Sequence, residues 1–346
     1  MIPPQIQDVD PPASVLDKSV QAPPPAASEL LGDDDDLAFE EAIDFAQNLF
    51  QSLSLVVLGL PWAVGAVTIA ATAGLHVLIE DVPGVGKTML AKALAASLGT
   101  HLSRIQGNPD FLPSDVTGVS VYTQSSGTWE FRPGPVFSNV VLVDELNRTP
   151  PRTQSALLEA MQECQVTVDG ESWQLPRPHL VLATQNPVTQ LGTYPLVESQ
   201  LDRFGLATRL GYPLADVEVS LAMGEGREQA LDRLKVLCDV NGWARVQQAT
   251  ARVHLAPSVA EYAVAICRET RVAPGVRLGA SPRATITMIT AAKAHAILSR
   301  RTYVTPEDVK AVSVSCLAHR LAIDDGPDAA IDLVRSVLER IVPPRP

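Results

Sequence analysis

The segment at residues 81–88 has the residue types and spacing of a loop that binds phosphate groups. It reads Asp-Val-Pro-Gly-Val-Gly-Lys-Thr, and Asp81 replaces the first glycine of the usual GxxxxGK(S/T) pattern. The backbone N–H groups of such a loop and the N-terminus of the following helix surround phosphate oxygens. Lys87 would reach the terminal phosphates, and Thr88 would coordinate Mg²⁺. The residues expected to contact the phosphates are Pro83, Gly84, Val85, Gly86, Lys87, Thr88 and Met89.

Two apolar runs farther along the chain end in polar residues that would complete a site for phosphoryl transfer. Residues 140–143 are all valine or leucine and lead directly into Asp144 and Glu145. Asp144 would hold Mg²⁺ and Glu145 would polarise the attacking water, because phosphoryl transfer depends mainly on positioning and charge stabilisation. The run at 180–184 leads to Asn186, whose amide would orient water near the γ-phosphate. A simple turn residue is the alternative interpretation of Asn186.

The elements that must position these residues alternate between strand-like and helical patterns. The strand patterns lie at 76–80, 140–144 and 180–184, and the helical patterns lie at 89–98 and 153–164. This alternation is typical of a parallel sheet covered by helices. Two further segments, at 119–131 and 165–175, are predicted β-hairpins around Ser126-Gly127 and Asp169-Gly170. The sequence therefore predicts an α/β domain over residues 37–211.

The two ends of the chain have other patterns. Residues 1–36 are rich in Pro, Asp, Ala and Ser, so we expect a disordered acidic tail. After residue 211 only helical patterns occur, and they predict a helical domain over 212–346. Thr305 is the predicted start of one of its helices, because proline and two acidic residues follow this capping residue.

Charge and composition restrict the possible partners. The formal net charge is −12, and the first 36 residues contribute −7 of it. Since no stretch is rich in Lys or Arg, we expect no nucleic-acid partner. The four cysteines, Cys164, Cys238, Cys267 and Cys316, share no metal-binding spacing, and the N-terminus lacks a secretory signal, which favours the cytoplasm.

The segment at residues 51–79 raises the question of a membrane span. It carries no formal charge over 29 residues, which is long enough for a spanning helix. However, Gly59, Pro61 and Gly65 interrupt it, and its end runs into the phosphate loop. We therefore expect a helix, a turn and a buried strand, and no membrane span.

In these motifs the chain resembles the MoxR family of AAA+ ATPases. The stretches that carry the resemblance are EDVPGVGKT (80–88), LPSDVTGVSV (112–121), FRPGPVF (131–137), DELNR (144–148), TQSALLEAMQE (153–163), ATQNP (183–187), GTYP (192–195), LDRF (201–204) and ASPRA (280–284). The resemblance implies an α/β P-loop AAA+ domain, in which helices flank a parallel sheet and β-hairpins are inserted. A small all-α lid domain would follow it.

The resemblance also assigns roles to residues that spacing alone leaves unassigned. It implies an oligomeric ring, usually hexameric, in which ATP lies between subunits. Arg203 matches the arginine finger that reaches the γ-phosphate of the neighbouring subunit. Arg283 matches the second sensor on a lid helix, and Asn186 matches the first. The predicted catalytic residues are thus Lys87, Glu145, Asn186, Arg203 and Arg283, and the predicted metal ligands are Thr88 and Asp144.

The sequence does not assign the roles of two arginines or the residues that contact adenine. Arg148 follows the metal carboxylates and would face the adjoining protomer, but the sequence does not decide whether Arg148 or Arg132 acts on a neighbouring subunit. The family usually has a Gly-Gln pair before its first apolar helix, where this chain has residues 57–61, Val-Leu-Gly-Leu-Pro. No residue that reads adenine can therefore be named.

The resemblance implies an Mg²⁺-dependent ATPase that remodels or matures a client protein complex, often alongside a partner with a von Willebrand factor A domain. A motor subunit of the magnesium chelatase type is an alternative, because LDRF followed by Gly-Leu also resembles that subunit. A scaffold that binds ATP without turnover is another alternative. The intact set of catalytic and metal-binding residues argues against it, namely Lys87, Asp144, Glu145, Asn186 and Arg203. A helicase-like motor is disfavoured by the distribution of charge.

Overall fold

The structure is a computed structural model that describes residues 33–80, 86–125, 127–186, 192–212, 215–223, 227–324 and 326–344. The tail before residue 33 and four of the phosphate-loop residues singled out above, Asp81, Pro83, Gly84 and Val85, lie outside these ranges. Ser126 of the first predicted hairpin turn lies outside them as well.

The first part of the chain contains nine strands and six helices within the described residues. In chain order they are α1 (Asp33–Val56), α2 (Pro61–Ala73), β1 (Val77–Glu80), α3 (Lys87–Ser97), β2 (Leu102–Gln106), α4 (Pro113–Thr117), β3 (Gly118–Thr123), β4 (Thr128–Pro133), β5 (Val140–Asp144), α5 (Pro151–Glu163), β6 (Gln165–Val168), β7 (Glu171–Gln174), β8 (Leu180–Gln185), α6 (Glu198–Leu201) and β9 (Leu206–Thr208).

The rest of the described chain is mainly helical. Its elements are α7 (Ala215–Ala222), α8 (Arg227–Asp232), α9 (Val240–Ala251), α10 (Pro257–Val272), β10 (Val276–Leu278), α11 (Pro282–Leu298), α12 (Pro306–Leu317), β11 (Ala322–Ile323) and α13 (Pro327–Arg340).

A five-stranded parallel sheet in the order β2-β5-β8-β1-β9 forms the centre of the fold, which confirms the predicted architecture. All residues of β5 are buried, as expected for a strand covered on both faces. Val140 and Leu142 point toward the core that contains α1, α2 and α3, whereas Val141 and Val143 point toward the core that contains α5. Parallel strands bring their carboxyl ends to one edge, so the ends of β2, β5, β8 and β1 meet there.

The first helices differ from the prediction in two respects. Helix α1 begins at Asp33, inside the segment predicted as tail, because residues buried at spacings of three and four give it an apolar face. These residues include Phe39, Ala42, Ala46, Leu49 and Leu53. The uncharged segment at 51–79 holds two helices, the end of α1 and all of α2, where one was expected before the strand. Among the described residues, no helix is long and apolar enough to cross a membrane.

Both predicted hairpins are present on the far side of the sheet from α3. Strand β3 pairs with β4, and β6 pairs with β7, in each case antiparallel. Asp169 and Gly170 both have positive φ, 52° and 84°, as a two-residue primed turn requires. The rings of Phe131 and Trp173 stack at 4.4 Å between centroids, which joins one hairpin to the other.

The helical region packs on α1 and α2 and shares an apolar core with them. Trp243 of α9 is fully buried and donates its indole N–H to the carbonyl of Ala71 at 2.8 Å. Thr305 caps α12 as predicted, since its hydroxyl accepts from the N–H of Asp308. The expectation of helices alone is wrong at β10 and β11, which form a short antiparallel pair. Strands of three and two residues are too short to show a periodic pattern.

Candidate active site

A cavity of about 380 Å³ lies at the carboxyl edge of the sheet. Its walls contain every described residue predicted to bind phosphate or metal, together with Glu145 and Asn186. Its lining residues are Gly86, Lys87, Thr88, Met89, Arg104, Gln106, Asp144, Glu145, Thr184 and Asn186. Among the predicted contacts, Pro83, Gly84 and Val85 lie outside the described residues. Arg104, Gln106 and Thr184 were not predicted.

The N-terminus of α3 forms one wall of the cavity. Gly86 precedes the helix with φ of 105°, a conformation that a residue with a Cβ rarely adopts. Lys87 is the first helical residue and is only 9% exposed. The unpaired N–H groups at a helix start carry partial positive charge. A buried lysine beside them makes this wall favourable for an anion such as a phosphate group.

The opposite wall presents the carboxylate of Asp144, which lies at the end of β5. Arg104 of β2 donates from Nε to Asp144 Oδ2 at 2.8 Å. The two residues lie on neighbouring strands, because Gln106 pairs with Asp144 across the ladder. Thr88 and Asp144 supply oxygen ligands to the same cavity, which is the donor type that Mg²⁺ prefers. The residues present therefore fit the predicted metal.

Glu145 is held in a defined orientation by three side chains. Asn186 Nδ2 donates to Oε1 at 2.9 Å, while Gln106 Nε2 and Arg148 Nη1 each donate to Oε2 at 3.3 Å. The backbone of Glu145 has φ of 57°, a left-handed conformation that is uncommon outside glycine and is found at functional sites. Its N–H donates to the hydroxyl of Thr184 at 2.9 Å, which supports this conformation.

Asn186 is fixed by a second asparagine behind the cavity. Asn147 Nδ2 donates to the carbonyl of Asn186 at 3.1 Å, and Asn147 Oδ1 accepts from its N–H at 3.3 Å. The carbonyl of Asn147 in turn accepts from the N–H of Tyr194 at 2.6 Å. Both asparagines are buried. The amide of Asn186 is thereby aimed at Glu145 and into the cavity.

Gly107 is a site residue that the sequence patterns missed. Its N–H donates to the carbonyl of Asp144 at 2.7 Å. A Cβ at this position would lie 2.2 Å from the carbonyl oxygen of Glu145 and 3.0 Å from that of Asp144. Only glycine allows the chain after β2 to pass this close to the two carboxylate residues. A glycine directly after a strand was the available signal, and it resembles many ordinary turns.

The predicted arginines lie apart from the cavity, except Arg148. Arg203 follows α6 and is half-buried, and Arg283 is exposed in the first turn of α11. Neither lines the cavity of this chain. Arg148 contacts Glu145 of its own chain, as described above, whereas Arg132 is exposed on β4. The roles of Arg203 and Arg283 therefore stay predictions.

Comparisons with known protein families match both parts of the chain. Residues 76–206 match the family described as "ATPase family associated with various cellular activities (AAA)", and residues 268–341 match the "AAA lid domain". The first match covers β1 to β8, the cavity and both hairpins, and it ends at the first residue of β9. The second covers α11, α12 and α13 with the end of α10.

Several individual proteins are similar over most of their length. YeaC of Bacillus subtilis, an uncharacterised protein, is 45% identical over 78% of this chain and 85% of its own. Chaperone MoxR1 of Mycobacterium tuberculosis is 39% identical over 72% of this chain and 68% of its own. Protein MoxR of Methylorubrum extorquens is 29% identical over 87% of this chain and 96% of its own.

A solved structure shares the fold as well as the sequence pattern. The crystal structure of a candidate ATPase from Cytophaga hutchinsonii superposes with a TM-score of 0.80 and is 34% identical. The match covers 91% of this chain and all of the other.

Proposed function

This chain belongs to the MoxR family of AAA+ ATPases, and on that premise we propose that it hydrolyses ATP with Mg²⁺ in an oligomeric ring. The observation that carries the proposal is the convergence of Lys87, Thr88, Asp144, Glu145 and Asn186 on one cavity. These residues come from the first helix after the phosphate loop and from the ends of two strands. Their types correspond to phosphate binding, metal binding and activation of water.

Each residue has a role that follows from its position. Lys87 and the N-terminus of α3 bind the terminal phosphates, because they bring positive charge to the wall of the cavity. Thr88 and Asp144 would hold Mg²⁺, which when bound neutralises charge on the phosphate oxygens. The ion pair of Arg104 with Asp144 Oδ2 competes with this role, and Arg104 can turn to solvent because 54% of its side chain is exposed.

Glu145 is the proposed group that polarises the attacking water. Both of its oxygens accept hydrogen bonds in this structure, and the bond from Asn186 is shorter than those from Gln106 and Arg148. We expect Oε2, which has the two longer bonds, to exchange one of them for the water. Asn186 would keep the carboxylate oriented during this exchange.

Arg203 would complete the site from the neighbouring subunit. Within the described residues its side chain makes no hydrogen bond or ion pair, so it is available to a ligand outside its own chain. An arginine supplied in trans contributes about 10³-fold or more to phosphoryl transfer in enzymes that use one. The ring would then hydrolyse ATP only where two subunits meet.

Work on a client protein complex is the proposed use of this turnover. The name of one relative, Chaperone MoxR1, supports a chaperone-like role. The two hairpins offer a surface for a client, since Trp129 and Tyr122 of the first hairpin are exposed. A partner with a von Willebrand factor A domain remains part of this proposal on the family resemblance alone.

Glu145→Gln tests the catalytic assignment. The substitution keeps the size of the side chain and removes the carboxylate, so we expect ATP binding to persist while turnover falls by about 10²-fold or more. Glu159→Gln is the matched control, because Glu159 is exposed on α5 and lies outside the cavity. ATPase assays and titration with a fluorescent ATP analogue measure the two effects. Unchanged turnover in Glu145→Gln would mean that another group activates the water.

The Glu145→Gln variant can also identify the client protein. A ring that binds ATP without hydrolysing it should retain its client, so proteins recovered with Glu145→Gln in ATP and absent with ADP are the candidates. The chelatase-type alternative predicts recovery of a chelatase subunit. Normal ATP binding with no measurable turnover in the unmodified protein would favour the scaffold.

A further inference from the structure

A buried arginine of the lid lies against the peptide that carries Arg203. Arg320 ends the short 3-10 turn after α12, and only 2% of its side chain is exposed. Its Nη2 donates to the carbonyl oxygen of Phe204 at 2.7 Å and to that of Asp202 at 3.3 Å. These carbonyl groups flank Arg203 in the chain. One guanidinium group therefore holds the backbone on both sides of the predicted finger.

The side chain of Asp202 ties the same peptide to the start of α11. Arg320 Nε lies 3.3 Å from Asp202 Oδ1. The hydroxyl of Ser281, which caps α11, lies 3.1 and 3.2 Å from the two carboxylate oxygens and donates to them. The same hydroxyl accepts from the N–H of Ala284. The first turn of α11, on which Arg283 lies, is thus joined to Asp202.

A second lid residue reinforces this contact. His319 Nε2 donates to the carbonyl of Phe204 at 3.1 Å. Phe204 is fully buried in the core on the α5 side of the sheet. Two neighbouring lid residues, His319 and Arg320, therefore donate to one carbonyl group of residues 202–204, which we call the finger peptide. The lid is joined to this peptide through backbone acceptors and through one carboxylate.

The side chain of Arg203 takes no part in these contacts. Its N–H donates to the carbonyl of Gln200, and no side-chain partner occurs within the described part of the chain. The backbone at residues 202–204 consequently sets the position of the Cα atom from which the Arg203 side chain extends. Whatever moves that backbone moves the finger.

We propose that Arg320 and Asp202 form a positioning pair that sets Arg203 according to the position of the lid of the same subunit. This inference rests on the proposed function, in which Arg203 acts on the nucleotide of the neighbouring subunit. A displacement of the lid moves Asp202 through Ser281, which caps α11, and through Arg320, which follows α12, and the backbone at residues 202–204 follows. The state of one nucleotide site, sensed by its lid, is thereby relayed to the next site in the ring.

Arg320→Lys tests the pair because it keeps the positive charge. The guanidinium group places Nη2 at two carbonyl oxygens and Nε 3.3 Å from a carboxylate oxygen of Asp202, and the single nitrogen of an ammonium group cannot occupy both positions. Since a displacement of about 1 Å in a catalytic group can cost about 10²-fold in rate, we expect ATPase to fall by that order. The affinity for a fluorescent ADP analogue should stay within about threefold, because the subunit's own phosphate site is untouched.

Mixed rings show where the defect acts. A Glu145→Gln subunit lacks its own activity but carries an intact finger, so mixing it with Arg320→Lys subunits should restore ATPase at roughly a quarter of the interfaces. A mixture with Arg203→Ala is the reference and should recover equally. A mixture of Arg320→Lys with Arg203→Ala should stay inactive. Arg335→Lys is the control, since Arg335 is an exposed lid arginine paired within its own helix.

Two results would overturn the inference. The first is full ATPase activity in rings of Arg320→Lys alone. The second is recovery in the Arg203→Ala mixture without recovery in the Arg320→Lys mixture. Failure of the Arg203→Ala mixture would instead contradict the proposed finger and, with it, the inference. If Arg320→Lys does not bind the ADP analogue, the same ATPase measurements on Asp202→Asn test the inference. This substitution keeps an acceptor for Ser281 and removes the ion pair with Arg320.

Discussion

Two arginine–aspartate pairs, one in the nucleotide cavity and one at the lid, have different surroundings. In the nucleotide cavity, Arg104 lies 2.8 Å from Asp144, and 54% of the arginine side chain is exposed. At the lid, Arg320 lies 3.3 Å from Asp202, and its side chain is 2% exposed and bonded to two carbonyl groups. An exposed pair costs little to open, whereas a buried arginine that loses its partners leaves polar groups unsatisfied. We therefore expect the pair in the cavity to open more easily than the pair at the lid, although it is the shorter of the two.

The largest expected difference concerns stability. Arg320→Met should lower the free energy of unfolding by about 3 kcal/mol, because the substitution removes two buried hydrogen bonds to carbonyl groups together with the ion pair to Asp202. Arg104→Met should lower it by less than about 1 kcal/mol, as for other exposed pairs. Denaturation with urea, monitored by circular dichroism, measures both. Equal losses would show that burial does not distinguish the two pairs.

We expect a substitution at Gly107, whose N–H bonds the carbonyl of Asp144, to be tolerated far less well than a substitution of Arg104, the ion-pair partner of Asp144. Gly107→Ala places a Cβ about 2.2 Å from the carbonyl oxygen of Glu145, so the strand ends must separate. We expect ATPase to fall by about 10²-fold, because the carboxylates move relative to the phosphate loop. Gly65→Ala is the matched control, since the nearest atom to its Cβ would be 3.9 Å away. Normal turnover in Gly107→Ala would contradict the proposed close approach.

The contact between the lid and the finger peptide should also make the stability of the protein sensitive to acid, because His319 is part of this contact. Burial and then the charge of Arg320 lower the pKa of His319 to about 3. Because the pKa in the unfolded chain is about 6.5, the stabilising effect is complete above pH 6.5 and is lost progressively as the pH falls toward 3.

We therefore expect His319→Gln to reduce the loss of stability between pH 7 and pH 5 by up to about 2 kcal/mol. Part of the loss should remain, because burial and His179 lower the pKa of His76 to about 4. Urea denaturation at the two pH values provides the test. An unchanged pH dependence in His319→Gln would mean that His319 is accessible to protons in the folded protein.

The smallest expected effect concerns Mg²⁺. Arg104 competes with the metal for Asp144, so Arg104→Gln should lower the Mg²⁺ concentration that gives half-maximal ATPase. A pair worth less than about 1 kcal/mol limits the change to about fivefold. A titration of ATPase activity with Mg²⁺ at saturating ATP measures it. A higher requirement for Mg²⁺ would assign Arg104 to nucleotide binding.

The sequence also predicts some parts of the molecule better than others. The sequence predicts strand β5 with its observed bounds. It also singles out Lys87, Asp144 and Asn186, which line the cavity, because each lies next to an element with a clear pattern. Arg104 and Gln106 were missed, since β2 is an edge strand of mixed burial whose residues, Leu-Ser-Arg-Ile-Gln, show no apolar run. Helix α1 extends into the acidic segment because its apolar face, and not its charge, decides where it folds.

Long-range contacts account for the rest. Arg320 contacts a carbonyl group 116 residues away, and no local pattern encodes such a contact. Gly107 is recognisable as a site residue only from its close approach to Glu145, which the folded structure shows. Periodicity thus indicates which elements form, while the packing of remote segments determines which polar residues meet.

Mixing two inactive variants tests the central claim most directly. Glu145→Gln and Arg203→Ala subunits should each have little ATPase activity alone. Mixed in equal amounts, they should regain activity at the interfaces where an intact finger meets an intact cavity. The account predicts recovery well above the sum of the separate activities. Activity that never exceeds this sum, in rings shown to contain both subunits, would contradict it.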